Sequence, residues 1–591
     1  MYRAPLDDIR HALNDIAGLK AMMNKGQLGD LSPDVVEAIL AEAARFAEEE
    51  IVPLAPIGDR EGARLRDGAV TMPGGWHDLY RKWREGGWNG LSAPEAWGGQ
   101  GLPMTLAMAV LEMWNSGSMA FAIGPTLTIG AVDALEKHAS EELKKTYLPK
   151  LVSGEWAGTM NLTEPQAGSD LNMLKARAER AGDGTYRIFG QKIFITYGEH
   201  DLTENIVHLV LARLSDAPAG TRGISLFLVP KFLVNGDGTL GPRNDVFCAS
   251  IEHKLGIHGS PTCTMIYGDG KYGEQPGAVG WLIGEENRGL ACMFTMMNNA
   301  RLAVGIQGVA VAEAAYQKAL AYARERRQGR APGWSGEEMS PIVAHPDVSR
   351  MLLTMKAMTE AARAIAYSCA HAIDMARLGG AKASHWQERA NLLTPLAKAF
   401  PTDIGVEVAS LGVQVHGGMG YIEETGAAAL LRDARIAPIY EGTNGIQAID
   451  LVTRKLPQSE SAHMRAYIAE LRRDAETVRR ANLPEFGDTA ACLLAALDDL
   501  DEATEHLLEA LAAKKGRVVL SGATPFLRLF SLVAATAMMA RGAVVASNPR
   551  RARLCRYLAE NHLAETAALR RAVTNGAESL LKAAEDLESL T

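Results

Sequence analysis

The sequence predicts a mainly α-helical protein with a β domain near its centre. Residues 1–157 and 289–456 carry apolar side chains at three- and four-residue spacing, as in LSPDVVEAILAEAARF, which is the period of an amphipathic helix. Between them, residues 158–288 contain short β-rich runs such as NIVHLVLARL and GISLFLVP, separated by Gly, Asp, Asn and Pro. The helical pattern returns after Pro457. This order of segments predicts helices, a β domain, more helices and a helical extension.

Four domains follow from these changes of pattern. A chain of 591 residues is too long for one hydrophobic core. We expect an N-terminal helical domain over 1–157 and a domain of antiparallel strands over 158–288. A C-terminal helix bundle over 289–456 and a helical extension over 457–591 complete the chain. Ser32-Pro33 marks the start of an early helix, because proline is favoured in a first helical turn.

Composition excludes several classes of protein. The net charge is −9, with 47% hydrophobic residues, which is typical of an ordinary globular protein. Six scattered cysteines include no CxxC pair, so we expect reduced, mostly buried thiols, no metal site and a cytoplasmic location. The cell that we expect is bacterial. The first residues, MYRAPLDDIRHALND, lack the apolar stretch of a secretion signal.

Neither a membrane nor a nucleic acid is an expected partner. The longest apolar run, Leu529 to Ala540, is well short of the ~20 residues that a membrane span needs, and a buried helix is predicted instead. From Pro457 onward, 17 Lys and Arg stand against 18 Asp and Glu, so the extension is not a basic arm. The phosphate-loop motif GxxxxGK[ST], HExxH and GxSxG are also absent.

One glutamate lies in a setting that suits a catalytic base. In IAPIYEGTNGIQ, Glu441 follows an apolar stretch and precedes Gly442, Thr443 and Asn444. Burial disfavours a charged carboxylate and raises its pKa towards neutrality, which suits proton abstraction. A glutamate at the start of a helix is the alternative interpretation of the same five residues.

Two segments of the predicted β domain could bind a cofactor. NLTEPQAGSD, residues 161–170, joins a strand to a loop of small residues, whose N–H groups and hydroxyls could hold a pyrophosphate or a flavin edge. In KIFIT, residues 192–196, Phe194 and Thr196 are two apart, so a regular strand would place both on one face. A strand followed by a turn is the alternative for each segment taken alone.

Taken together, seven motifs resemble the acyl-CoA dehydrogenase family. They are NLTEPQAGSD, KIFIT, MMNNAR, RERRQG, QVHGGMG, LRDARI and IYEGT, in this order and at the family's spacing over roughly residues 35–455. The resemblance implies an N-terminal helical domain, an antiparallel β domain and a C-terminal four-helix bundle. The start of the chain and the extension are similar to a longer subgroup, which includes an enzyme for a short thioether acyl-CoA.

The resemblance implies oxidation of an acyl-CoA thioester between Cα and Cβ. A carboxylate would take the α-proton while the β-hydrogen leaves as hydride to N5 of FAD. Glu441 matches the family's base. Some relatives carry the base on an earlier helix, but Met297-Asn298-Asn299-Ala300-Arg301 contains no carboxylate here.

The same resemblance implies a set of binding residues. FAD would contact the β domain through Met160, Leu162, Thr163, Gly168, Ser169, Phe194 and Thr196. Many relatives have tryptophan at the position of Phe194. The diphosphate of a flavin in a neighbouring subunit would be contacted by Arg326 and Gln328, with Gln414, Gly417 and Gly418 alongside. Thr443 and Asn444 would lie near the adenosine half. The acyl-CoA would contact Ser169, Asn298, Arg301 and Gly442.

The sequence also leads to expectations about binding partners and leaves alternative functions open. The resemblance implies an electron-transfer flavoprotein as electron acceptor, and the extension leads us to expect a homodimer. The substrate could be a short thioether acyl-CoA, another short or medium chain, or a longer fatty acyl-CoA. A flavin oxidase, or a non-catalytic or nucleic-acid-binding homologue that retains the flavin, are further alternatives on the same scaffold.

Overall fold

The computed structural model describes residues 2–273 and 275–590. Helices α1 to α10 are Leu6–His11, Leu19–Asn24, Pro33–Phe46, Ala55–Glu61, Trp76–Glu85, Met104–His138, Glu141–Val152, Gly289–Glu325, Pro346–Arg377 and Ala383–His416. Helices α11 to α19 are Ala427–Ala434, Asn444–Asp450, Ala462–Ala481, Thr489–Ala512, Gly516–Ser521, Ala523–Val545, Pro549–His562, Glu565–Asn575 and Ala577–Glu585. Strands β1 to β12 are Arg64–Arg66, Ala69–Thr71, Trp156–Asn161, Arg177–Arg180, Tyr186–Thr196, Asn205–Leu214, Ile224–Pro230, Phe232–Val234, Leu240–Arg243, Val246–Ile251, Thr262–Tyr267 and Ala278–Ile283.

These elements group into two compact units. The first contains the described parts of Met1–Arg45, Met104–Ser116 and Arg301–Thr591; the second contains Phe46–Pro103 and the described parts of Gly117–Ala300. The first unit thus joins the bundle, the extension and the start of the chain. The second unit holds the β domain and part of the N-terminal helices. The division into four domains at 157, 288 and 456 stays a prediction.

The β domain is built on one eight-stranded sheet. Its strands run in the order β10-β11-β5-β12-β7-β6-β3, with β4 beside β5 and β6. The predicted antiparallel pairing is confirmed for most neighbours, including β4 with β5. It is wrong for β3, which pairs with β6 in parallel, and for the short contact of β4 with β6, which is also parallel. Strands β6 and β7 are buried along almost their whole length, which explains why their sequences are continuous apolar runs.

Strand β5 contains a bulge that changes which side chains are buried. The β-rich runs TYRIFG and KIFITYG both lie mostly within this one strand. Its pairing with β11 shifts register between Cys263 and Met265. As a result Lys192 and Ile195, three residues apart, are both buried, while Phe194 between them is exposed.

In the bundle, helices α8 and α10 approach each other closely through glycine. A Cβ atom added at Gly305 would lie 1.8 Å from the carbonyl oxygen of Ala397, and one at Gly308 would lie 2.2 Å from that of Pro401. Only glycine permits this separation, so a larger residue at either position would force the helices apart. The contact fixes α8 against the part of α10 that carries Lys398 and Thr402.

The extension packs around one buried helix. Helix α16 contacts α13, α14, α17 and α18 of the extension, and also α9, α10 and α12 of the bundle. It contains the apolar run Leu529 to Ala540, so the predicted buried helix is confirmed. Helices α6 and α16 are long and apolar enough to cross a membrane, but 78% and 83% of their most apolar windows are buried inside the protein, as in ordinary core helices.

A buried ionic cluster joins several helices of the first unit. The fully buried Arg363 guanidinium on α9 contacts Glu112 on α6 at 2.7 Å, Glu313 on α8 at 3.0 Å and Glu360 at 2.6 Å. The Lys356 ammonium lies among the carboxylates of Asp8, Glu313 and Glu360. These three carboxylates have the spacing of a metal site, yet a protein cation fills the space between them. The cluster therefore ties the start of the chain to the bundle.

Candidate active site

Glu441 lies in a loop with left-handed backbone. Its φ is +57°, and that of the following Gly442 is +81°. For a residue with a side chain this conformation costs about 1–2 kcal/mol, so the surroundings must hold it in place. The loop leads into α12, where the Thr443 hydroxyl accepts a hydrogen bond from the N–H of Ile446 at 3.2 Å. Backbone strain of this kind marks the loop as a functional candidate.

Neighbouring side chains hold this loop in place. The buried Gln447 amide donates from Nε2 to the carbonyl oxygens of Glu441 and Gly442, each at 3.3 Å. The Tyr440 hydroxyl donates to Oε1 of Gln307 on α8. Within residues 2–273 and 275–590, no donor hydrogen-bonds the Glu441 carboxylate. The backbone of the loop is thus fixed while its carboxylate stays available.

The charges around Glu441 set its protonation. Burial raises the pKa of Glu441 from its ordinary 4.5 to about 7, and the positive charges of Arg301 and Lys398 oppose that rise. Burial lowers the pKa of Lys398 to about 7 as well, against the attraction of Glu441 and Asp403. A carboxyl group with a pKa near neutrality can accept a proton and release it again at physiological pH.

Asn444 is held by helix α10. Its Oδ1 accepts from Nζ of Lys398 at 2.8 Å, and its Nδ2 donates to Asp403 Oδ1 at 2.7 Å. Thr402 and the carbonyl oxygen of Ala399 complete the contacts of the amide. We call Asn444, Lys398, Thr402 and Asp403 the Asn444 network. The side chains of Thr443 and Asn444 are therefore both engaged within the chain, and their contact with flavin stays a prediction.

The predicted cofactor loop of the β domain is organised by a buried ion pair. The fully buried Lys192 ammonium donates to Glu164 Oε1 at 2.8 Å and to the carbonyl oxygen of Leu162 at 3.0 Å. The other Glu164 contacts include the N–H groups of Lys175 and Ala176. Burial alone would raise the pKa of Glu164, but Lys192 and these N–H groups hold it below its ordinary value. The pair fixes the path of the loop from Leu162 onward.

Phe194 is an exposed aromatic residue with a left-handed backbone. Its φ is +59°, and 58% of its surface is accessible. Thr196 is half-buried, and its carbonyl oxygen accepts a hydrogen bond from the Thr159 hydroxyl at 2.7 Å. Since Ile195 between them is buried, Phe194 and Thr196 are both on the more accessible side of the strand. The bulge interrupts the regular alternation from which a shared face was predicted, so the shared face stays a prediction.

The remaining predicted cofactor residues of the β domain surround the same loop. Met160 is buried at the end of β3, Leu162 and Thr163 are half-buried, and Gly168 and Ser169 are exposed. No atom lies within 4 Å of a Cβ placed on Gly168, so its backbone faces open space. The loop thus offers accessible backbone and hydroxyl groups near an exposed aromatic ring.

A second group lies where α8 and α10 end together. The rings of Tyr322 and His416 stack there, with centroids 4.6 Å apart. Arg326 donates to Gln328 at 3.4 Å just beyond α8. The members of this group that were predicted to bind a flavin are all exposed: Arg326, Gln328, Gln414, Gly417 and Gly418. Asn298 and Arg301, predicted to bind acyl-CoA, lie on α8, the first exposed and the second buried.

Sequence reasoning missed Lys398, Gln307 and Gln447. Lys398 stands in the apolar stretch LLTPLAKAFP, and a charged residue surrounded by apolar ones is a signal of a buried ion that could have been noticed. The two glutamines gave no comparable signal, because each is an ordinary polar residue in a helical segment.

Family models match nearly the whole chain. The acyl-CoA dehydrogenase N-terminal domain matches residues 33–155, the middle domain matches 159–269 and the C-terminal domain matches 287–456. A further model, described as acetyl-CoA dehydrogenase C-terminal like, matches residues 462–584 of the extension. The chain belongs to the acyl-CoA dehydrogenase family. It is a flavin-dependent enzyme that uses FAD to dehydrogenate an acyl-CoA thioester.

Particular relatives agree with this assignment. The chain is 44% identical to 3-methylmercaptopropionyl-CoA dehydrogenase of Ruegeria pomeroyi, over 98% of this chain and 99% of that protein. It is 34% identical to a butyryl-CoA dehydrogenase of Syntrophomonas wolfei, over 92% and 90% of the two chains. A Bacillus anthracis acyl-CoA dehydrogenase solved with FAD has the same fold, with a TM-score of 0.70 at 22% identity, covering 96% of this chain and 93% of that one.

The groups of the β domain fit a flavin. An isoalloxazine ring needs an apolar contact and several hydrogen-bonding partners, and the exposed Phe194 and the hydroxyls of Thr163 and Ser169 supply these. The open backbone at Gly168 leaves room for a bulky group. These residues would hold the ring and its neighbouring phosphates.

The rate at which an acyl-CoA reduces the bound flavin should rise as the pH increases through about 7. Only ionised Glu441 can accept a proton, and burial places its pKa at that value. Anaerobic stopped-flow absorbance at a series of pH values measures this rate, with flavin content checked at each pH. A rate that is constant down to the ordinary glutamate pKa of 4.5 would contradict the assignment.

Proposed function

We propose that Glu441 is the base that removes the α-proton of the acyl-CoA thioester. The observation that carries this proposal is a half-buried carboxylate on a strained loop, with its pKa raised to about 7 and no hydrogen-bond donor on it within the described residues. Such a group is basic enough to take a proton and is not already engaged by another side chain.

The reaction divides the two hydrogens between two acceptors. The proton on Cα passes to the Glu441 carboxylate, and the product is the α,β-unsaturated thioester. When bound, FAD supplies the acceptor for the hydride that leaves Cβ. The N–H groups of Glu441 and Gly442 are candidates to donate to the thioester oxygen as negative charge develops there.

Arg301 is the residue that we assign to substrate binding near the base. It is buried on α8, its pKa is lowered by burial, and the charges of Asp450 and Glu441 oppose that shift. A guanidinium stays charged in a protein, so it holds a positive charge beside Glu441 at every relevant pH. Ser169 and Asn298, both exposed, are the further candidates for contact with the coenzyme A part.

Replacing Glu441 by glutamine should leave a yellow protein that an acyl-CoA can hardly reduce. Glutamine keeps the shape of the side chain but cannot accept the proton, so the rate of flavin reduction should fall by about 10²-fold or more. Glu509→Gln, on an exposed face of α14, is the matched control and should behave as the wild type. Near wild-type reduction by the Glu441 variant would overturn the assignment of the base.

We further propose that the substrate is 3-methylmercaptopropionyl-CoA or an acyl-CoA of similar length. The support is the 44% identity to the Ruegeria pomeroyi enzyme over nearly the full length of both chains. Butyryl-CoA has a chain of comparable length without the sulfur, and a butyryl-CoA dehydrogenase is also similar to this chain. A longer fatty acyl-CoA is the competing proposal.

A panel of acyl-CoAs distinguishes these substrates. We expect the thioether substrate to bleach the flavin with a higher kcat/KM than butyryl-CoA, by a factor of about 10 to 200, since one group of this size contributes ~1–3 kcal/mol of discrimination. An electron-transfer flavoprotein should then reoxidise the enzyme faster than oxygen does. Preference for a long acyl chain would refute the substrate proposal, and rapid reoxidation by oxygen would indicate an oxidase.

We propose that the enzyme is a homodimer. Arg301 lies on α8 and is 24 positions from the last residue of that helix, Glu325, which corresponds to about 36 Å at 1.5 Å per residue; Arg326 follows directly. The exposed residues beyond α8 are therefore far from Glu441 in the same chain, which supports contact with a flavin of a second subunit. Light scattering of the flavin-loaded protein should give twice the chain mass of 63.4 kDa; a monomer or a tetramer would contradict the proposal.

A cytoplasmic location is also proposed. All six cysteines are free, and five of them are buried, which suits a reducing compartment. Fractionation of the producing cells with an antibody against the protein would test this.

A further inference from the structure

Lys398 is a buried charged residue that the proposed reaction does not use. Its side chain is fully buried within α10, and its Nζ donates to Asn444 Oδ1 at 2.8 Å. No ion pair joins it to a carboxylate in the part of the chain that the structure describes. An ammonium group taken out of water without such a partner costs several kcal/mol, so its presence calls for a functional explanation.

The position of Lys398 connects it to the base in two ways. Through the Asn444 network it fixes the residue that begins α12, three positions after Glu441. Through space its charge acts on Glu441, because Lys398 and Arg301 are the two cations that oppose the effect of burial on that carboxyl group. Lys398 is thus bonded to the loop and electrostatically coupled to its carboxylate.

Several other charged and titratable groups lie near Lys398 and Glu441. Three charged groups act on Lys398: Glu441 in the loop, Asp403 on the same helix and Arg301 on α8. The groups that surround these in turn are Tyr440, Asp433, Asp450, Arg454, Lys455, Glu407 and Arg528. Of the two cations that face Glu441, Arg301 stays charged throughout the working pH range, whereas a lysine can titrate.

We propose that Lys398 is a positioning residue for the catalytic base: anchored on Asn444, it holds the Glu441 loop in place and puts a titratable positive charge beside the carboxylate. This inference rests on the proposed role of Glu441. It assigns Asn444 to the support of the base. It also explains why Lys398 tolerates burial, since the charge that it carries is balanced mainly by the ionised form of Glu441.

Lys398→Met removes the charge while keeping an unbranched side chain of similar length. Without the ammonium the ionised carboxylate is less stable, so the pH at which flavin reduction reaches half its maximum should rise by about 1 unit. Lys398→Arg restores the charge and should move that pH at least halfway back towards the wild-type value. Anaerobic flavin reduction by butyryl-CoA as a function of pH measures the shift, and flavin content and thermal unfolding confirm that each variant is folded.

Two control variants distinguish a local effect on the charge of Glu441 from a general loss of stability. Lys356→Met removes a cation from the buried ionic cluster and should lower the melting temperature without moving the pH dependence. Lys318→Met removes an exposed charge from α8 and should change neither property. A Lys398→Met protein that is folded and flavin-loaded but has the wild-type pH dependence would overturn the inference. So would a Lys398→Arg protein that shows the full shift of Lys398→Met.

The Glu441→Gln variant distinguishes failure of this inference from failure of the proposed function. If that variant loses flavin reduction while Lys398→Met leaves the pH dependence unchanged, Glu441 is the base and Lys398 has only a structural role. If the Glu441 variant stays active, the base itself is misassigned, and any shift caused by Lys398→Met reports on another group.

Discussion

The site depends on shielding one carboxylate from water while leaving it able to ionise near neutral pH. Burial disfavours the charge of Glu441, while Arg301 and Lys398 favour it, and the balance leaves a carboxyl group with a pKa of about 7. More positive charge would produce a poor base, and none would leave the group protonated at neutral pH. The strained backbone of the loop is maintained because its neighbours, Gln447 and Asn444, are themselves fixed by hydrogen bonds.

The helical framework makes this balance possible. Arg301 is on α8 and Lys398 is on α10, and glycines at 305 and 308 let these two helices approach more closely than other residues would permit. The ionic cluster around Arg363 connects α8 to α6, α9 and the start of the chain. The extension adds α16 against α9, α10 and α12, so it packs on the helix that carries Lys398 and on the helix that follows the Glu441 loop.

Much of the fold and part of the site could be predicted from the sequence. Helical periodicity identified the long helices, and the residues around Glu441 identified the loop, because both signals are local. The parallel pairing of β3 with β6 could not be predicted, since it joins segments more than 40 residues apart. The bulge at Phe194 was equally hidden, because an alternating sequence does not reveal where a strand gains a residue.

The burial of Lys398 is another feature that could not be predicted from the sequence. Its sequence shows a lysine within an apolar helix, but whether such a residue reaches solvent depends on the neighbours of that helix. The structure shows it fully buried and bonded to Asn444, a residue whose own role was predicted from resemblance to be cofactor contact. Lys398 and Asn444 are 46 residues apart in the sequence. A contact between such distant segments can be identified only in the folded chain.

The protonation of Glu441 itself is the most direct test of the account. Infrared difference spectra of the wild type minus the Glu441→Gln variant, recorded over a range of pH, isolate the carbonyl stretch of the protonated Glu441 carboxyl group. The account predicts that this band disappears as the pH rises through about 7. A band that is already absent just above pH 4.5 would show an ordinary, solvated glutamate and would contradict the account.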